Sequence, residues 1–162
     1  MKKLIIIAAI GKNNELGKNG DLIWKIKEDM KFFKEKTIGH TIVMGKNTFF
    51  SLPKLLPKRK HVVLSYSKKD IFPKEVTIIH SIDEFNTLSK EIDDDIYVIG
   101  GASIYRQFID KADELYLTEI DDECKNADVY FPEFNKNYYD IKILKEHNSS
   151  NPKYKHVLYT KK

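Results

Sequence analysis

Residues 20–37, GDLIWKIKEDMKFFKEKT, carry the first clear helix of the chain. From Ile26 the apolar residues recur at helical spacing: Ile26, Met30 and Phe33 form one stripe at i, i+4, i+7. At about 100° per residue, Asp29 projects between Phe32 and Phe33, beside that stripe and one turn from Ile26. Lys27, Glu28, Lys31, Lys34 and Glu35 fall on the opposite side. A carboxylate placed with the apolar side chains is costly to bury unless it finds a partner or a ligand. Periodicity leaves both readings open: an Asp paired with a buried donor of the core, or an acid that serves a ligand.

Around this helix the chain alternates strands and helices. Residues 4–10 (LIIIAAI) are an unbroken apolar run and read as a buried strand. Residues 11–23, with three glycines and three asparagines, read as a long loop of the kind that serves as a lid or binding loop. The helix runs over 25–37 and stops at Gly39. TIVMG (41–45) is a second strand, and KNTFFSL a short helix that Pro53 ends. HVVLS (61–65) and VTIIH (76–80) are strands joined by a connector, SYSKKDIFPKE. Ser81 and Glu84 form a capping box that starts a helix through about Ile92. DIYVIGG (95–101) is a strand, ASIYRQFID a helix and ELYLTEI (114–120) a strand. YYDIKILKEH and PKYKHVLYT bracket NSSNP as an antiparallel hairpin. The pattern predicts one α/β domain over residues 1–162. Its sheet is mixed but mostly parallel, of about eight strands, with the antiparallel C-terminal hairpin at its edge and about four helices.

Composition bounds the function. With 162 residues, 41% hydrophobic and 32% charged, the chain is globular and large enough for a real core. The N-terminal KKLIIIAAI is at the short limit for a signal-peptide apolar region and no cleavage site follows, and no stretch reaches the length of a membrane span. A single cysteine, Cys124, in the acidic context DDEC, reads as an unreactive thiol in a reduced, cytoplasmic setting. The net charge of +4 is spread over every segment, which argues against a nucleic-acid partner and suits small anionic ligands. Of 28 basic residues only Arg59 and Arg106 are arginine, the type suited to planar, bidentate recognition.

No metal-ligand spacing is present: His40, His61, His80, His147 and His156 are far apart, and His61 and His80 read as structural. Nor is there a nucleophile elbow. Two strand-to-helix junctions carry glycine, VMG-KNT (43–48) and VIGG-ASIY (98–105), at the sheet edge where ligands bind. Neither matches a common nucleotide fingerprint, and either alone is ordinary turn chemistry. Together, with a lysine opening one helix, they favour a phosphate-bearing cofactor. One acid, no metal and no nucleophile suit a reaction in which a cofactor supplies the difficult step.

At this point the residues resemble the dihydrofolate reductase family. The signature reads Leu16-Gly17, Leu22-Ile23-Trp24, Asp29, Phe33 and Thr37, with Ile23 where the family usually has proline. VMGKNTFFSL, LPKRKHVVLS, VIGGASIY, LYLTEID and ADVYFP follow in order, so the resemblance spans residues 3–161. It implies reduction of 7,8-dihydrofolate with NADPH by a monomeric cytoplasmic enzyme that antifolates inhibit and that has no metal, nucleic-acid or membrane partner. Carried over by position, Asp29, Trp24 and Thr118 are its catalytic side chains. Asp29 bonds the N3 and 2-amino groups of the pterin, and Thr118 supports it. Ile7, Ala8, Leu22, Met30 and Ile99 line the pterin pocket. Phe33, Leu52 and Leu56 wall the aminobenzoyl group, and Arg59 holds the glutamate carboxylate. On the cofactor side stand Ala9, Leu16, Gly17, Leu22 and Ile99. The first phosphate-binding junction is Gly45, Lys46, Asn47 and Thr48, with Leu64 and Ser65 near the adenosine phosphate. The second is Gly100, Gly101, Ala102, Ser103, Ile104 and Tyr105, with a cis Gly–Gly bond. Lys46 stands where arginine is frequent and Ser103 lacks a basic side chain, which bears on NADPH over NADH. The same resemblance makes water the immediate proton donor to N5, with Asp29 acting electrostatically. Two rivals remain: a reductase of the same fold acting on a pyrimidine, and a non-catalytic nucleotide- or folate-binding protein.

Overall fold

A computed structural model describes residues 2–67 and 72–162. The expected connector SYSKKDIFPKE therefore lies partly outside the described residues. In chain order the elements are β1 (Leu4–Ile10), β2 (Glu15–Lys18), β3 (Asp21–Leu22), α1 (Lys27–Thr37), β4 (Thr41–Gly45), α2 (Lys46–Ser51), β5 (Lys60–Leu64) and β6 (Thr77–Ile79). Then come α3 (Ile82–Ser89), β7 (Ile96–Gly100), α4 (Ala102–Phe108), β8 (Glu114–Ile120), β9 (Val129–Tyr130), β10 (Tyr139–His147) and β11 (Tyr154–Lys161). Eight strands form one sheet in the order β10-β11-β8-β1-β7-β4-β5-β6. From β8 to β6 the neighbours are parallel, whereas β11 runs antiparallel to both β8 and β10. The α/β class, the mixed sheet and the terminal hairpin are as the alternation of elements predicts.

Strand alternation divides the core between two faces. Ile6, Ile10, Val43, Val98, Leu115 and Leu117 point to one face, where Phe85 of α3 and Ile104, Tyr105 and Phe108 of α4 cover them. Ile5, Ile7, Ile42, Met44, Val63 and Tyr97 point to the other, against Phe32 and Phe33 of α1 and Phe49 of α2. After β1 the chain passes to α1 on the second face, and after adjacent β7 it passes to α4 on the first. The carboxyl ends of β1 and β7 therefore border a crevice at a topological switch point.

Four expectations change. The 11–23 segment is not only loop: β2 pairs with β3 and with β9 in a separate three-stranded sheet. These ladders are two to four residues long without apolar alternation, so the sequence carries no strand signal for them. The helix expected over 25–37 begins at Lys27, with Ile26 extended at its N-cap, and ends before Gly39, whose φ of +83° terminates it. Of the stripe Ile26–Met30–Phe33, only Phe33 packs against the core. Met30 is 59% exposed and Thr37 is the one fully buried residue of α1. The apolar side of α1 is divided between the sheet, through Phe32 and Phe33, and solvent, at Met30, and Asp29 stands between them with part of its side chain exposed.

The Ser81 capping box forms, with Ser81 Oγ accepting from Glu84 N at 3.1 Å. Glu84 in return accepts from the N–H of His80, one residue ahead of the cap, at 2.7 Å, and α3 ends at Ser89 rather than Ile92.

Candidate active site

Asp29 projects from the first turn of α1 toward β8 and β11. Its Oδ1 accepts a short hydrogen bond from the Thr118 hydroxyl and a longer contact, 3.3 Å, from His156 Nε2. Its side chain keeps 22% exposure, and among the described residues Oδ2 has no hydrogen-bond partner. Thr118 and His156 are themselves buried, and they are paired directly across the β8–β11 ladder. Of the two readings left open by periodicity, the structure shows the first on Oδ1, which pairs with core donors, while Oδ2 carries no protein donor among the described residues.

Beside it, Tyr105 donates from its hydroxyl to the Ile7 carbonyl at 2.8 Å. Burial, and secondarily the charge of Asp29, pushes Tyr105 well above the ordinary tyrosine range, so its hydroxyl remains a donor. Ile7, Ile99 and Thr118 lie on the same sheet face as Phe33, Leu52 and Leu56, so strand alternation gathers on one wall most of the residues that the resemblance implies for the substrate. Leu22 and Met30 are exposed at the rim, and Ala8 and Ala9 are half-buried at the end of β1.

Arg59 is built in by its neighbours. Its Nη1 donates to Thr37 Oγ1 at 3.1 Å and its Nε to the Pro57 carbonyl at 3.0 Å. Nη2 has no partner among the described residues. Thr37 in turn donates to Phe33 O at 2.8 Å, which ties the arginine to the end of α1. His61 shapes the loop that carries it: Nδ1–H donates to Arg59 O at 3.1 Å and Nε2 accepts from Leu56 N at 3.0 Å. A carbonyl only accepts and an amide only donates, so these partners fix one neutral tautomer. Burial lowers His61 from its ordinary value in the same sense.

On the cofactor side, α2 and α4 begin at adjacent sheet edges, and neither N-terminus has a side-chain cap. Their first amides suit the oxygens of a phosphate-bearing group. The two starts approach closely: a Cβ on Gly45 would meet Ile104 Cγ1 at 3.0 Å, and one on Gly101 would meet Thr48 Oγ1 at 3.5 Å. The Gly100–Gly101 bond is cis. Leu64, Ser65 and Ile104 are buried, with the side chains of Leu64 and Ile104 inside the core beneath this edge. Lys46 and Thr48 are half-buried, and Asn47 and Ser103 exposed.

The 11–24 segment is anchored by contacts the sequence did not announce. Trp24 donates from Nε1 to Asp122 Oδ2 at 2.9 Å. Glu15, 1% exposed, accepts from Asn13 N through Oε1 and from Cys124 N through Oε2, both at 2.7 Å. Gly11 lets Trp24 and Glu15 approach: a Cβ there would lie 2.4 Å from each. Leu16 and Gly17 lie on β2 of this anchored segment. Reasoning from the sequence missed His156, Glu15 and Asp122. An unusual buried-side histidine on a strand was the one available signal, for His156.

These features can be set beside known proteins. The family model described as dihydrofolate reductase matches residues 3–161. The chain belongs to the dihydrofolate reductase family. The dihydrofolate reductase of Haemophilus influenzae is 34% identical over 146 residues, 85% of this chain and 84% of its own length. That of Bacillus subtilis is 32% identical over 160 residues, covering 96% and 93%. One from Buchnera aphidicola of Schizaphis graminum reaches 41% over 133 residues, covering 82% and 80%. Among the described residues, Asp29 thus keeps one oxygen without a protein donor and Arg59 one nitrogen, Nη2, without a protein acceptor. Among the described residues no helix is long and apolar enough to cross a membrane, and no group of His, Cys, Asp and Glu is placed to hold a metal ion.

Proposed function

We propose that this member of the family reduces 7,8-dihydrofolate to 5,6,7,8-tetrahydrofolate with NADPH, acting as a single domain over residues 1–162. The reading rests above all on Asp29, whose Oδ1 is held by Thr118 and His156 while Oδ2 has no protein donor among the described residues. A carboxylate so arranged can accept from the N3 and 2-amino donors of a pterin. The Ile7 and Ile99 positions complete the ring pocket, with Ala8, Leu22 and Met30 around it. Phe33, Leu52 and Leu56 flank the aminobenzoyl group, and Arg59 meets the glutamate carboxylate with its unpaired Nη2 edge.

NADPH, when bound, supplies the hydride for the pterin C6. The residues of this chain do the rest. The uncapped starts of α2 (Gly45, Lys46, Asn47, Thr48) and α4 (Gly100, Gly101, Ala102, Ser103, Ile104, Tyr105) would hold its phosphates, with Leu64 and Ser65 toward the adenosine end. Ala9, Leu16, Gly17, Leu22 and Ile99 would border the nicotinamide. Asp29, as an anion, favours the protonated pterin, and water delivers the proton to N5. The 11–24 segment, pinned through Trp24 to Asp122 and through Glu15 to Cys124, excludes bulk water. Because Lys46 is a point charge and Ser103 carries none, the 2′-phosphate is recognised with less geometric selectivity than an arginine fork provides. The protein acts as a cytoplasmic monomer, tetrahydrofolate feeds one-carbon transfer in thymidylate and purine synthesis, and antifolates compete at Asp29.

The test is a titration with NADPH and NADH followed by turnover of dihydrofolate. Tighter NADPH binding and steady reduction of dihydrofolate are expected. Reduction of a riboflavin-pathway pyrimidine instead, or cofactor binding with no turnover, overturns the assignment.

A further inference from the structure

His156 meets neither ligand in the mechanism above, yet it touches the acid on which that mechanism depends. It sits on β11, 5% exposed, and its ring stacks on Phe32 of α1 at 4.0 Å with the planes 8° apart. Its Nε2 lies 3.3 Å from Asp29 Oδ1. Since a carboxylate oxygen accepts, Nε2 carries the hydrogen. The antiparallel register pairs His156 with Thr118, so two adjacent strands each send one donor to the same oxygen. The stack on Phe32 holds the same helix turn from which Asp29 projects, and His147 packs edge-on to the far side of the imidazole at 5.2 Å.

We propose that His156 is a positioning residue for Asp29. With Thr118 and His156 both on Oδ1, the carboxylate plane has one orientation, and Oδ2 is presented to the ligand without competition from the protein. Thr118 alone would leave the carboxylate free to rotate about its single bond to Cβ; a second donor from the neighbouring strand removes that freedom before the ligand arrives. The residue acts through Asp29 and does not itself touch the reacting atoms. The inference rests on the reading of Asp29 as the pterin-binding acid.

Two variants separate positioning from packing. His156→Phe keeps an aromatic ring against Phe32 but has no N–H, whereas His156→Gln keeps a donor but loses the ring. Dihydrofolate affinity can be followed through the fluorescence of Trp24, the single tryptophan of the chain, and turnover by NADPH oxidation. The loss of one net hydrogen bond predicts a roughly three- to tenfold rise in dihydrofolate Kd and KM for His156→Phe. The NADPH KM should not change, and His156→Gln should recover part of the loss. In an Asp29→Asn background His156→Phe should add little, because the group it positions has gone. Equal dihydrofolate affinity in wild type and His156→Phe, both folded by circular dichroism, overturns the proposal. So does a loss that persists unchanged in Asp29→Asn or that His156→Gln does not relieve. If Asp29→Asn itself turns over normally, it is the pterin-acid reading that fails, and His156 with it. If Asp29→Asn is impaired and His156→Phe is not, only the present proposal falls.

Discussion

Two carboxylates stand at the two ends of the same segment and are treated in opposite ways. Glu15, in β2, is 1% exposed and has one backbone N–H on each oxygen, from Asn13 and from Cys124. Asp29, in α1, is partly exposed and receives both of its contacts, from Thr118 and His156, on one oxygen. A carboxylate with both oxygens satisfied by backbone is a fastening: it ties residues 13–15 to residue 124 and has no oxygen left without a donor. A carboxylate satisfied on one side only is held and still available. Burial alone would have ranked Glu15 first as a functional acid, and the distribution of donors reverses that order.

The largest expected effect that tests this contrast is on Asp29. Asp29→Asn should lower turnover by ~10²–10⁴, the range for a positioned acid, with a native-like melting transition. Turnover near wild type in a neutral-pH assay would erase the distinction. Glu15→Gln should do the reverse. The amide keeps one acceptor but turns a donor against the other buried N–H, at a cost of about 1–3 kcal/mol in stability. A urea titration should show this as a lower midpoint, with dihydrofolate KM close to wild type. Loss of turnover at unchanged stability would instead make Glu15 part of the chemistry.

Arg59→Lys sharpens the comparison at the far end of the cleft. Losing the fork should raise dihydrofolate KM by roughly tenfold, about the value of one charge-assisted hydrogen bond, and leave NADPH binding alone. Weakened NADPH binding with dihydrofolate affinity intact would place the arginine on the wrong ligand. The smallest effect is a pH dependence of stability from His61 and His147. Burial holds both below the ordinary 6.5, so the unfolded chain takes up protons there that the folded chain refuses. Their stabilisation is complete above that value and is lost as pH falls through it. Denaturant midpoints should decline between roughly pH 7 and 5, and His61→Asn should flatten part of that slope.

Much of the fold was legible because it rests on local pattern. Short apolar runs such as residues 4–10 and 42–44 read as buried strands, and the Ser81/Glu84 box marks a helix start. The 11–23 segment was read as loop because β2, β3 and β9 are held by backbone pairing between stretches of two to four residues, too short to show a hydrophobic period. Site residues brought in by the family resemblance include Thr118, whose contact with Asp29 the structure shows. The contacts of His156 with Asp29, Glu15 with Cys124 and Asp122 with Trp24 were not legible, because each joins residues about a hundred positions apart.

By itself the sequence determined the order of elements, the α/β class and the presence of an acid on the apolar side of a helix. Each follows from side-chain type and spacing, which are local. Only the tertiary structure decided what kind of acid each carboxylate is. Register across β8 and β11 sets two donors on one oxygen of Asp29, and the crossing of residue 124 over β2 sets a donor on Glu15. Hydrogen-bond satisfaction is a property of the surroundings of a group, and those surroundings exist only once distant strands are paired.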